Sequence, residues 1–219
     1  MTNPIESRAG ARAGAPMRSA NVVWHEGSLT REERWSALGR GGATVWLTGL
    51  PAAGKSELAE ALEASLLRAG RAAYRLDSTT MRQGVCSDLG YGAEDRRENN
   101  RRLAELAKLF ADAGTIAIVA AVSPFADGRQ AARDAHERDG LAFVEVFVNT
   151  PLADCVARDP YGTYRRAREQ ATPEAPGIDA LYEPPAAADV EVTPDLTTEQ
   201  AVDRVADALL ARAGLALGR

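Results

Sequence analysis

The chain is poor in the residues that carry soft-metal and hydrolytic chemistry. It has 219 residues, with two cysteines and two histidines. Cys86 and Cys155 stand far apart, with no Cys-x-x-Cys pair. That leaves no thiolate metal cluster and fits the reduced thiols of a cytoplasm. His25 and His136 form no pattern with a serine or cysteine nucleophile and an acid, so a hydrolytic triad has no material. No apolar run approaches the roughly 18–20 residues of a membrane span. An excess of basic residues is also missing: the net charge is -5, which speaks against non-specific nucleic-acid binding. There is no internal repeat, and no Asn-Lys-x-Asp run of the kind that reads guanine.

What is present is organised around Gly49-Leu50-Pro51-Ala52-Ala53-Gly54-Lys55-Ser56. The run fits G-x-x-x-x-G-K-[ST], the phosphate-binding P-loop. The apolar, β-branched stretch Ala43–Thr48 precedes it as a strand. Leu58, Ala61, Leu62 and Leu66 follow at helical spacing. Glycines at both ends let backbone N–H groups curl toward phosphate oxygens, and the helix N-terminus adds its field. In such a loop Lys55 reaches the outer phosphates and Ser56 ligates Mg²⁺. Glu57 adds a negative charge one residue further on.

The remaining chain alternates strand and helix patterns. Residues 1–20, rich in Ala, Arg, Gly and Ser, read as a disordered tail rather than an organellar leader. Residues 21–219 read as a single P-loop domain. Thr30 with Glu33 forms a capping box for a helix to Leu38, and strand two runs over 72–76 with Asp77 at its carboxyl end. A polar segment over 78–92 follows, then a helix over 94–113 with Leu103, Leu106, Ala107 and Phe110 as its buried stripe. The apolar run 115–122 suits a central parallel strand. A helix over 126–138 and a strand over 141–148 come next. Thr150-Pro151 reads as the N-cap and first residue of a helix to Arg158. Residues 159–188, rich in Arg, Glu, Pro and Gly, read as a mobile lid without a core element. Val190–Val192 is a short last strand. Thr197 with Gln200 caps a final helix whose Val202, Val205 and Leu209 face inward. The class is α/β: a P-loop NTPase-type, mostly parallel sheet with helices on both faces, and ligands at the carboxyl ends of its strands.

Several residues can serve such a site. Asp77 can hold Mg²⁺ or accept a proton, or it can cap the next turn. Arg96 and Asn99 share a helix face and, with Arg82, can bind an anion by forked hydrogen bonds; a solvated charged face is the plain alternative. Tyr91 can stack on a base or simply pack. Arg158 can lie over a nucleotide base while Arg165, Arg166 and Arg168 close on phosphates, or all four can be solvated.

The chain also resembles the adenylylsulfate (APS) kinase family. The marks are Val23-Trp24-His25-Glu26-Gly27, Thr44–Leu50, Tyr74-Arg75-Leu76-Asp77, Leu89-Gly90-Tyr91, Asp95-Arg96 with Glu98-Asn99, and Lys108–Gly114. Ser123-Pro124, Glu145–Val148, Arg158-Asp159-Pro160 and Gly177-Ile178-Asp179 complete them. The resemblance implies transfer of the ATP γ-phosphate to the 3′-hydroxyl of APS, giving the sulfate donor PAPS, by a cytoplasmic homodimer. It implies that Lys55 and Ser56 handle ATP and Mg²⁺, and that Arg158 borders the ATP adenine. Arg82, Arg96 and Asn99 would hold the phosphosulfate, Tyr91 the acceptor adenine, and Ser123 would line the acceptor pocket.

The chain departs from the family pattern mainly on the acceptor side. Leu-Asp-Gly-Asp-Asn is here Leu76-Asp77-Ser78-Thr79-Thr80, with Thr79 at the second aspartate. Lys-Gly-Phe-Thr is Pro173-Glu174-Ala175-Pro176, and Ser-Pro-Tyr-Arg is Ser123-Pro124-Phe125-Ala126. The usual Gly-Lys-Ser-Thr is Gly54-Lys55-Ser56-Glu57. Beside the APS reading stand two others. One is a kinase for a different alcohol, a nucleoside or specialised metabolite; the other is a non-catalytic nucleotide-binding partner in sulfate activation.

Overall fold

The computed structural model describes residues 27–169, 176–178 and 180–214. The tail, the run 21–26 with His25, Pro173-Glu174-Ala175 and Asp179 lie outside the described residues. The described residues from Arg31 onward form one compact unit.

Five strands make one sheet: β1 (Ala43–Thr48), β2 (Ala73–Asp77), β3 (Ile116–Ala120), β4 (Ala142–Val148) and β5 (Val190–Val192). Their order is β2-β3-β1-β4-β5, and every pairing is parallel. The inner strands are nearly all apolar because both faces are covered. Ala43, Val45, Leu47, Ile116, Ile118, Val144 and Val146 face one core. It is closed by α2 (Lys55–Arg68), through Leu58, Leu62 and Leu66, and by α8 (Thr198–Ala213), through Val202, Val205 and Leu209. Trp46, Ala117, Val119 and Phe143 face the other core, under α4 (Ala93–Asp112) and α5 (Ala126–Arg138). The alternation is the two-residue period of a strand read through a two-sided sheet.

The chain leaves β1 toward β2 on one side and reaches β4 on the other. Ligands therefore belong beyond the carboxyl end of β1, where the P-loop lies. The helix α1 (Arg31–Leu38) and the α8 capping box at Thr197 and Gln200 agree with the sequence.

The polar segment after β2 opens with the one-turn helix α3 (Ser78–Met81), capped by Asp77. Two expectations are corrected. Thr150 is not an N-cap: α6 (Leu152–Arg158) starts after Pro151 without a side-chain cap, and the Thr150 hydroxyl donates to the Ala53 carbonyl at 2.7 Å. The presumed lid does carry a core element: α7 (Thr163–Arg168) buries Tyr164 and Ala167 in the first core. His136 is structural. Its Nδ1 meets the Ala132 carbonyl and Nε2 meets the Thr44 hydroxyl, and burial lowers its pKa to about 4.

Candidate active site

The P-loop is braced from behind. Gly49 (φ 152) and Gly54 (φ 104) adopt backbone that a side chain would strain, and a Cβ on Gly49 would stand 2.6 Å from the Val148 carbonyl oxygen. Four of the loop's carbonyls accept side-chain hydrogen bonds. Lys55 Nζ donates to Gly49 at 3.0 Å and Leu50 at 2.7 Å. The Tyr164 hydroxyl donates to Pro51 at 2.9 Å, and Thr150 donates to Ala53. The Gly49 and Ala53 N–H groups are taken by the Val122 and Leu50 carbonyls; the other N–H groups of the loop are the ones such a motif turns toward an anion. Lys55 is buried, and desolvation lowers its pKa to about 8.

At the mouth of the loop the Ser56 hydroxyl donates to Asp77 Oδ2 at 2.6 Å. The other oxygen, Oδ1, accepts the Thr79 N–H at 2.9 Å. Asp77 is thus both the cap of α3 and a partner of Ser56.

These groups open on a cavity of about 440 Å³. Its wall includes Pro51–Glu57, Asp77, Thr79, Arg82, Tyr91, Arg96, Asn99 and Ser123. Most of the sequence-nominated residues therefore meet in one place. Gly49, Leu50 and Arg158 do not line it, although the Arg158 guanidinium lies close to Gly54, 3.8 Å from where a Cβ would stand. Of the three arginines in α7, Arg166 reaches the wall. Arg82 donates to the Leu89 and Gly90 carbonyls and lies over the Tyr91 ring at 4.4 Å, with Arg96 at 5.6 Å. Tyr91 is 59 % exposed, with the two arginines against its ring.

The far wall has more polar structure than the sequence announces. Asn99 Nδ2 donates to the Ser78 hydroxyl, and Asn99 Oδ1 is buried with no hydrogen-bond partner among the described residues. Ser123 is buried at φ 45, a left-handed conformation that costs a non-glycine residue energy. Buried Arg129 holds it there. It donates to the Ser123 carbonyl at 2.7 Å, to Glu145 at 2.8 Å and to the Glu183 carbonyl at 2.7 Å. Glu183 in turn straps the loop, with its N–H on Pro124 and its carboxylate on the Ala126 N–H. Arg129, Thr150 and Tyr164 carry no motif, so sequence reading passes over their part in the site. A signal for the asparagines did exist: Asn99 and Asn100 sit on the buried stripe of α4 with Leu103 and Ala107.

Chemically, one end of the cavity presents the P-loop and a hydroxyl–carboxylate pair; the other offers arginines, an aromatic face and amides. Comparison with known proteins agrees. The adenylylsulphate kinase family model matches residues 41–193. An adenylyl-sulfate kinase of Yersinia pestis is 42% identical over 193 residues, 88% of this chain and 90% of the relative. One of Penicillium chrysogenum is 46% identical over 199 residues, covering 87% and 94%. The solved Mycobacterium tuberculosis APS kinase, in complex with AMPPNP and APS, superposes with a TM-score of 0.75 at 44% identity, over 78% of this chain and 98% of that one. The chain belongs to the adenylylsulfate kinase family.

Proposed function

We propose that the chain transfers the γ-phosphate of ATP to the 3′-hydroxyl of adenylyl sulfate, giving PAPS. The observation that carries this is the Ser56–Asp77 pair, 2.6 Å apart, at the junction of the P-loop and the amide- and arginine-lined half of one cavity. The tuberculosis enzyme, solved with an ATP analogue and APS together, supports a chain that takes both ligands.

Magnesium prefers oxygen ligands and keeps several waters alongside phosphate, so it needs no all-protein cage. Ser56 Oγ and Asp77 fit that role. No group of three or more His, Cys, Asp or Glu side chains gathers for a metal among the described residues. When bound, the ion neutralises charge developing on the β- and γ-oxygens.

The chain's own groups do the rest. The P-loop N–H groups hold the phosphate chain. Lys55 exchanges its two loop carbonyls for outer phosphate oxygens, and Arg158 borders the nucleotide base. Arg96 and Asn99 hold the acceptor anion, Tyr91 stacks on its base with Arg82 behind, and Ser123 lines the pocket. Asp77 orients the acceptor hydroxyl and takes its proton as the bond to the γ-phosphorus forms and the bond from that phosphorus to the β,γ-bridging oxygen breaks, releasing ADP. Thr79, whose hydroxyl is too weakly acidic to serve as a base, cannot do this. A loose phosphoryl transition state asks for position more than for a strong base, so one aspartate suffices.

We assign the active form to a homodimer in the cytoplasm. Both cysteines are buried free thiols, in keeping with a reducing compartment, and no described helix is long and apolar enough to cross a membrane.

The test is mass-spectrometric: protein, ATP, Mg²⁺ and APS, with Lys55→Ala as the blank. PAPS at an ordinary kinase rate is the expected result. Nucleotide binding without PAPS would move the assignment to a different alcohol, which Thr79 on the cavity wall favours.

A further inference from the structure

Residues 82–92 join α3 to α4 and bring two side chains to the cavity wall, Arg82 and Tyr91. The segment has little core of its own: of these described residues only Cys86 is buried. Short backbone turns shape it, with the Cys86 N–H on the Met81 carbonyl and the Leu89 N–H on the Cys86 carbonyl. A connection with so few buried contacts opens easily unless something outside it holds it. Arg102, on α4, supplies that hold. Its guanidinium donates to the Val85 carbonyl at 2.8 Å and to both oxygens of Asp88, at 2.5 and 2.8 Å. Its Nε donates to Glu98 at 2.9 Å, and Glu98 accepts two further hydrogen bonds from Arg101, at 2.7 and 2.8 Å. One planar side chain thus ties the middle of the segment to the helix in a set orientation, which a forked guanidinium can do and a point charge cannot. Arg82 continues the grip. It donates to the Leu89 and Gly90 carbonyls and lies over the Tyr91 ring. Arg102 does not line the cavity, so its effect on a ligand passes through the segment it holds. The Asp88 side chain is 61% exposed, and exposed ion pairs add little to global stability. What this network fixes is therefore local: the place of the residues that lead to Tyr91.

We infer that Arg102 is a positioning residue for the acceptor half of the site: by gripping Val85 and Asp88 it sets Arg82 and Tyr91 in place before the acceptor arrives. The inference rests on the assignment of APS as that acceptor. A ligand that meets a segment already ordered does not bear the cost of ordering it. The grip therefore belongs to acceptor affinity rather than to the stability of the fold.

Two readouts on the full chain test it. In hydrogen exchange without ligand, Arg102→Gln should speed the amides of residues 82–91 roughly tenfold and leave those of the P-loop and α2 at their wild-type rates. In steady-state kinetics, with APS and ATP varied separately, Arg102→Gln should raise the APS KM roughly tenfold, the scale of ordering loop side chains on binding. Arg102→Lys keeps the charge but cannot bridge Val85, Asp88 and Glu98 together, so it should restore part of the loss, to about threefold. Asp88→Asn should also cost about threefold. Because Arg102 and Asp88 act as one pair, Asp88→Asn added to Arg102→Gln should cost little more than Arg102→Gln alone. The ATP KM stays fixed throughout, and each melting temperature stays near wild type. If Arg102→Gln does not fold, Asp88→Asn carries the test. An unchanged APS KM in a folded variant, equal rises in both KM values, or exchange over 82–91 that stays at the wild-type rate would each overturn the inference. A wild type that neither makes PAPS nor binds APS by calorimetry would sink the functional assignment and this inference with it. That outcome is separate from a wild type that works beside variants that work equally well, which sinks the inference alone.

Discussion

The two halves of the cavity are finished to different degrees. On the nucleotide side the loop carbonyls of Gly49, Leu50, Pro51 and Ala53 already have donors, two of them from Thr150 and Tyr164, in elements distant in sequence. On the acceptor side Asn99 Oδ1 and Asn100 Nδ2 have no partners among the described residues, and Tyr91 stands exposed at the rim. The first half meets its loop carbonyls from within the chain; the second leaves amide atoms without partners. The same contrast runs through the sequence. The P-loop departs from the family pattern at Glu57, whereas the acceptor side departs at Thr79, Phe125, Ala126 and 173–176.

The sharpest way to break this contrast is Lys55→Ala. It should lower turnover by about a thousandfold, the scale of a lost phosphate clamp, with APS binding by calorimetry unaffected. Asp77→Asn, at the seam of the halves, should cost about a hundredfold in kcat. Because Asp77 also caps α3, its melting temperature must be read alongside; an unaltered rate would remove Asp77 from catalysis. pH probes the finished half. Lys55 is protonated below its pKa of about 8 and loses its charge as pH rises through it. The kcat/KM for ATP should therefore be flat below pH 8 and fall above it, approaching tenfold per pH unit. A rate that holds to pH 10 would refute the lowered value. Tyr91→Ala probes the unfinished half: the APS KM should rise about tenfold, on the scale of base–aromatic stacking, with the ATP KM fixed. The smallest effect is expected of Tyr164→Phe. Loss of one loop brace should raise the ATP KM about threefold, and an APS KM that rose instead would place α7 with the acceptor half.

Most of the fold was legible because strand and helix periods are local. β1, α5, β5 and the α8 capping box follow from apolar spacing and turn residues alone. The P-loop was legible because its chemistry demands glycines and a lysine at fixed spacing. What stayed hidden depends on partners distant in sequence. Thr150 looks like a helix cap until the fold brings it to Ala53, 97 residues away. Tyr164 looks like one more residue of a charged lid until α7 packs it under Pro51, 113 residues away. Arg129 looks solvated in an arginine-rich helix, yet it ties Ser123 to Glu145 and Glu183. Asn100 was hidden differently. Its place on the stripe was visible, but its unsatisfied amide is a property of the folded pocket.

Trp46 gives this site an optical consequence. It is fully buried in the central strand, and its indole proton rests on Ser123, one bond from Asn100 and the cavity. Polarisation passes along such a chain, so an acceptor arriving against Ser123 changes the field at the indole. The emission of Trp46 should therefore shift when acceptor binds. ATP, held at the braced half, should leave it nearly unchanged. The protein carries its own unlabelled reporter for the order in which its two ligands enter.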